Sequence, residues 1–186
     1  MPPKVKITKE EILRTALDLV RTQGAQALGA RSIAAALGCS TQPIFSNFST
    51  MEELRYAVAV QADALCQRYT KDELDSGRYA PYKASGMAYI RFAKEERELF
   101  KFLYMCDRTG QPSPVETDHF RNMATKVSGY TGLDASQATL FHLEMWAYVH
   151  GIATMFATGF FDLDWDLVET MLADAYLGLR KQYNME

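Results

Sequence analysis

From Thr8 onward, apolar residues recur with the period of an α-helix and almost nowhere with that of a strand. Ile12, Ala16, Leu19 and Val20 form one face of a first helix. Thr8 and Glu11 are spaced as a capping box at its start, and Gly24 is placed to end it. A second helix is predicted from about Ala30 to Leu37, with Ile33 and Leu37 four apart and Gly38 free to take the left-handed turn that stops it. Ser40 is the expected cap of a third helix, which would make Pro43 its third residue, inside the first turn where a missing N–H costs nothing. Ile44 and Phe48, again four apart, face inward. Thr50 caps a fourth helix, expected from Met51 to about Tyr69, with Glu52 and Glu53 in the first turn where the dipole favours acids.

The remainder repeats the theme. "PYKASGMAYIRFAKEERELFKFLYMC" reads as one long helix or a broken pair, and "DRTGQPSPVET" is the clearest loop in the chain. A helix near 116–130 is expected to be interrupted by Gly129 and Gly132. Another is expected from Ser136 to about Ala157, before Gly159, and a last one from about Asp164 to Tyr183. The expected fold class is all-α.

Composition changes this picture little. The chain of 186 residues is 48% hydrophobic and 23% charged, ordinary for a globular domain with a sizeable core. No apolar run approaches the ~20 residues of a membrane span, and "MPPKVKITKEE" lacks the apolar stretch of a secretory leader. Cys39, Cys66 and Cys106 suggest neither a disulfide framework nor a metal site, so they are expected to be packed small hydrophobes in a cytoplasmic protein. No nucleophile elbow, phosphate loop, dinucleotide fingerprint or zinc-protease motif appears. The reading is not an enzyme, with no cofactor and no metal. The acids of "DLDWD" are better explained as a cap and first-turn acids of the last helix.

Charge changes it more. Residues 1–50 carry six bases against three acids, whereas the remainder carries 14 bases against 20 acids. A basic head on an acidic body suits a phosphate-binding module joined to a different one.

Within that head, helix, sharp turn and short polar helix are the parts of a helix-turn-helix. Ile33, Leu37, Cys39, Ile44 and Phe48 would fix the pair to the first helix, leaving Thr41, Gln42 and Ser46 pointing out of a rigid frame. Gln suits adenine, and a Thr methyl or Pro ring suits a thymine methyl. The periodicity alone equally fits a helix pair in any all-α core. The run "IAAALGCSTQPIFSNFSTMEEL" decides between them, because it resembles the N-terminal domain of TetR-family transcription regulators. Ile33, Ala34, Gly38, Ser40, Ile44, Phe48 and Leu54 match that pattern at the right spacing. The resemblance implies a DNA-binding domain over residues 1–52 and a ligand-binding and dimerisation domain over 53–186.

Three positions depart from the family pattern. Phe45 replaces a Tyr whose hydroxyl reaches a DNA phosphate, Asn47 replaces a His or Tyr, and Met51 replaces a Lys. Gly29 also stands where a Thr normally caps the second helix. Losing a hydroxyl and a lysine should lower affinity and flatten its salt dependence. The base-reading candidates are Thr41, Gln42, Pro43 and Ser46. The phosphate candidates are Asn47, Arg31 and the tail lysines Lys4, Lys6 and Lys9, and Ser32 and Phe45 complete the face.

Farther along, Trp146, His150 and Gly151 resemble the signature of a Trp-His-Gly C-terminal domain found in some of these regulators. The histidines are expected to be either buried, hydrogen-bonded core residues or polar contacts to a ligand. The resemblance implies an effector pocket, for which the candidates are Tyr89, Phe92, Tyr104, Met123, Trp146 and His150. Apolar residues on the last two helices (Leu140, Leu143, Ala147, Ile152; Leu167, Met171, Leu172, Leu179) exceed what two helices can hide in one subunit, so a homodimer through a four-helix bundle is expected. The expected partners are therefore near-palindromic double-stranded DNA, a small apolar or aromatic effector and a second copy, with no membrane. The alternative is a helical protein-interaction or ligand-binding protein with a degenerate DNA-binding module.

Overall fold

The computed structural model describes residues 7–107 and 118–185. Lys4, Lys6 and nearly all of the expected loop lie outside the described residues. Among those described there are nine α-helices and no strand: α1 (Lys9–Gln23), α2 (Ala30–Ala36), α3 (Gln42–Asn47), α4 (Met51–Asp75), α5 (Pro81–Glu95), α6 (Arg97–Tyr104), α7 (Asp118–Thr131), α8 (Ala135–Thr158) and α9 (Trp165–Gln182). The fold is all-α, as the periodicity predicts. None of these helices is long and apolar enough to cross a membrane.

The first three helices form around local signals. At Thr8 the capping box is complete: the hydroxyl accepts the Glu11 N–H at 3.2 Å, and the Glu11 carboxylate accepts the Thr8 N–H at 2.8 Å. Those hydrogen bonds hold the Glu11 carboxyl below its ordinary range. Ile12, Ala16 and Val20 are fully buried. At the end of α2, Gly38 has φ +64°, which lets the Cys39 N–H reach the Ala34 carbonyl at 2.9 Å and its own N–H reach Ala35 at 3.2 Å. These two bonds make the Schellman stop that turns the chain into α3. The cap of α3 is Thr41 rather than Ser40, and Pro43 is its second residue rather than its third. The ring still falls in the first turn, so the exchange costs the helix nothing.

α4 runs six residues beyond Tyr69, to Asp75. Its polar last turns are held by tertiary contacts, because the Glu73 carboxylate, buried in the structure, meets the Arg91 guanidinium of α5 at 3.0 Å. The broken-pair reading of 81–106 is the correct one: the break is at Glu96, between α5 and α6. α7 passes through Gly129 without interruption and stops before Gly132, whose φ is +72°. Gly159 ends α8 in the left-handed region. Asp164 caps α9 by accepting the Asp166 N–H at 2.9 Å.

α5 packs between α4 and α8, α7 lies on α8, and α6 touches α1, α4 and α8. α8 and α9 form an antiparallel hairpin: Phe156 faces Trp165 at one end, and Tyr183 donates to Glu144 at 3.0 Å at the other. One hydrophobic core runs from Ile12 and Phe48 through Leu54 and Val58 to Phe100, Ile152 and Leu172. The expected division between residues 52 and 53 falls in the first turn of α4. The core therefore crosses it without a gap.

Candidate functional site

The face of the α2–α3 pair that looks away from this core carries most of the expected DNA contacts. Ile44 and Phe48 are buried, which turns Gln42, Phe45 and Ser46 outward together at positions i, i+3 and i+4. Arg31 and Ser32 are exposed in the first turn of α2, while Thr41 and Pro43 are half-buried.

The hydrogen bonds alter what several of these groups can offer. The Ser46 hydroxyl donates back to the Gln42 carbonyl at 2.9 Å. The Asn47 amide donates to the Pro43 carbonyl at 2.8 Å and lies 3.5 Å from the Ile7 carbonyl at the root of α1. Asn47 thus ties α3 to the chain entering α1, and its donors are already committed. The Lys9 ammonium lies 3.2 Å from the Glu53 carboxylate and 4.5 Å from the centre of the Phe48 ring. Glu53, held below its ordinary pKa by the Ser49 N–H and then by Lys9, was not among the sequence candidates. Its place in the first turn of α4 reads equally well as dipole complementation, so no signal in the sequence singled it out.

The candidate effector residues separate into three places. Tyr89 of α5, Tyr104 of α6, and Trp146 and His150 of α8 come together, joined by Phe100 and Cys66. The Tyr89 hydroxyl is 3.0 Å from His150 Nδ1, and the Trp146 and His150 rings stack at 5.0 Å. Burial pushes the Tyr89 phenol well above its ordinary pKa and lowers that of His150, so a neutral imidazole accepting the phenol proton is the fitting arrangement. Burial also raises the Cys66 thiol to about 11, and the Tyr104 hydroxyl donates to its sulfur at 3.6 Å.

Phe92 stands elsewhere. It is fully buried, edge-on to Tyr69 with the ring centres 5.5 Å apart. Met123 lines a separate cavity of about 130 Å³ with Leu74, Pro81, Tyr82, Ser85, Lys126 and Tyr130. Above that cavity a second pair repeats the first, with the Tyr82 hydroxyl 3.0 Å from Nδ1 of the buried His142. Phe100 could have been found in the sequence from its i, i+4 relation to Tyr104, whereas Cys66 had no such signal.

On the outer face of the α8–α9 hairpin, Leu140, Ala147, Tyr148, Leu167 and Leu177 are exposed. A shallow groove between the helices is lined by Glu144, Tyr148, Asp174, Ala175, Gly178 and Leu179. Ile152 and Leu172, expected in the dimer face, are instead buried in the subunit's own core. The expectation of packed cysteines fails at Cys106, which is exposed at the end of α6.

Residues 82–175, just over half the chain, match the family model of the tetracyclin repressor-like C-terminal domain. The chain belongs to the TetR family of transcriptional regulators. An uncharacterised HTH-type transcriptional regulator of Mycobacterium tuberculosis is 26% identical over 171 residues, which cover 89% of this chain and 78% of that one. A putative TetR-family transcriptional regulator from Vibrio parahaemolyticus, known from its structure, superposes with a TM-score of 0.63 at 17% identity, over 90% of this chain and 96% of that one. Both likenesses span the head and the helical body together, so the TetR arrangement extends beyond the matched C-terminal segment.

Proposed function

We propose that this TetR-family regulator is a repressor that binds a near-palindromic double-stranded operator as a homodimer and is released by a small apolar or aromatic effector. Residues 1–52 supply the DNA contacts, and 53–186 hold the effector and pair the subunits. The observation that carries the reading is the outward triad Gln42, Phe45 and Ser46, mounted on a helix whose opposite face is locked into the core by Ile44 and Phe48. A recognition helix needs such a rigid mount, because base edges are read only at fixed positions.

One such helix spans too few base pairs for useful specificity, and the exposed apolar side chains of the α8–α9 hairpin supply a surface for a second copy. The effector would enter the Tyr89, Tyr104, Trp146 and His150 cluster, where the aromatic rings and one Tyr–His hydrogen bond suit an aromatic compound with a polar group. Trp146 stacked on His150, next to Gly151, supports the Trp-His-Gly variant of the C-terminal domain. Binding would release DNA only by favouring a state in which the two heads no longer fit successive grooves.

Selection of bound duplexes from random DNA, followed by gel retardation, tests the first half. An enriched near-palindrome with half-sites about one helical turn apart is the expected result. Failure to enrich any sequence at low salt would leave the degenerate-module reading standing. A thermal-shift screen of apolar compounds, followed by retardation on the selected site, tests the second half. A stabilising compound that leaves DNA affinity unchanged would break the coupling.

A further inference from the structure

Phe45 lies in the middle of the recognition helix with 51% of its surface exposed, while Ile44 beside it and Phe48 three residues on are buried in the core. It shares its face with Gln42 and Ser46. The hydroxyl of Ser46 is already donated to a backbone carbonyl, and so are the amide protons of the neighbouring Asn47. Ser46 keeps only its acceptor lone pairs, so Gln42 and Phe45 are the two side chains on this face with no internal hydrogen bond. Gln42 has a complete amide, and Phe45 has a ring with nothing but apolar surface. Of the groups that base pairs present in the major groove, the apolar one is the thymine 5-methyl.

We infer that Phe45 is a specificity-determining residue that reads the methyl group of a thymine in each operator half-site. This rests on the DNA-binding function proposed above and adds the base and the atom to it. Gln42 and Phe45 are three residues apart on one helical face, which puts their Cβ atoms about 5–6 Å apart. Successive bases on one strand are about 3.4 Å apart along the axis. The thymine therefore lies within about two base pairs of the base that Gln42 reads.

The test uses the full chain and the operator it enriches from random DNA. Each thymine is replaced in turn by deoxyuridine, which removes the methyl and keeps every hydrogen bond. At one position in the half-site the wild type should lose affinity by about fourfold, the factor one buried methyl group is worth. Phe45→Ala should bind thymine and uracil operators equally there, Phe45→Leu should keep the discrimination, and Gln42→Ala should keep it as well. Circular dichroism checks that each variant folds, which the exposure of Phe45 favours. If no deoxyuridine position weakens the wild type, or if Phe45→Ala remains equally sensitive at that position, the assignment is overturned while the DNA-binding function stands. If the wild type enriches no sequence at all, both are overturned.

Discussion

Arg21 in the last turn of α1 grips the Glu96 carboxylate at the corner between α5 and α6 with two hydrogen bonds, the Nε bond measuring 2.7 Å. Glu96 is only 4% exposed, while half of the arginine surface remains in solvent. The pair joins the helix that supports the recognition unit to the helix that carries Phe100 and Tyr104. Arg21→Ala would leave a buried carboxylate without these partners. It should lower stability by about 1–3 kcal/mol, read from the urea midpoint. Arg21→Lys should recover only part of this, because an ammonium cannot present the same two-pronged contact. Equal stability of wild type and Arg21→Ala would remove the pair from any structural role.

Acid should weaken the fold through His150. Burial lowers its pKa below the ordinary 6.5, so on acidification the unfolded chain takes up the proton before the folded chain does. Its stabilising contribution is thus complete above about pH 6.5 and declines as the pH falls below that value. Thermal midpoints measured from pH 7.5 down to 5.5 should fall, and His150→Gln should make that fall shallower. An unchanged slope in the variant would assign the pH dependence to other groups.

On DNA, the ion pair between Lys9 and Glu53 predicts opposite signs for the two substitutions. Lys9→Ala should weaken all sequences about equally and reduce the salt slope by about one at most. Glu53→Gln keeps an acceptor for the Ser49 N–H, 2.7 Å from the carboxylate, but releases the ammonium. It should therefore strengthen binding to all sequences at low salt. Retardation at two salt concentrations measures both, and a loss of affinity in Glu53→Gln would show that the pair orders the head.

Gly151 of α8 and Gly178 of α9 are both exposed. A Cβ added at Gly151 or Gly178 would meet no described atom of the chain within 4 Å. Gly151→Leu should consequently leave the subunit folded and, by replacing a glycine inside a helix, add a few tenths to about 1 kcal/mol of local stability. It should nevertheless block close approach of a second copy. Leu140→Glu combined with Leu177→Glu should do the same by charge. Ultracentrifugation at micromolar concentration should show dimers for the wild type and monomers for both variants. A wild-type monomer would remove the pairing face.

The capping signals made much of this fold readable in advance. Thr8 with Glu11, Gly38, Thr50, Gly159 and Asp164 each act through a hydrogen bond or a backbone angle a few residues away, so the order of residues carries the information. The extension of α4 past Tyr69 did not show, because its support comes from Arg91 on another helix. The same reason separates Met123 from Trp146. Trp146 lies over His150 through its i, i+4 place on α8, whereas only the packing of α7 against its neighbours sets Met123 at the Tyr82 cavity. At α3 the residue types were legible, whereas the hydrogen bonds of Ser46 and Asn47 back to their own helix were not. Their choice of a carbonyl one turn back is decided by rotamer, and periodicity does not report it.

The rings of Tyr89, Phe100 and Tyr104 lie with their centres 5.1 to 5.3 Å apart, and His150 closes the group. An effector entering there, as proposed above, would meet occupied space. Entry has to wait for the rings to part, a rearrangement of packed helices that belongs to the microsecond-to-second range. The rate of occupancy would then level off at high effector concentration instead of rising in proportion to it. A repressor with that property would respond to how long a compound persists as well as to how much is present, and brief pulses would leave its operators covered.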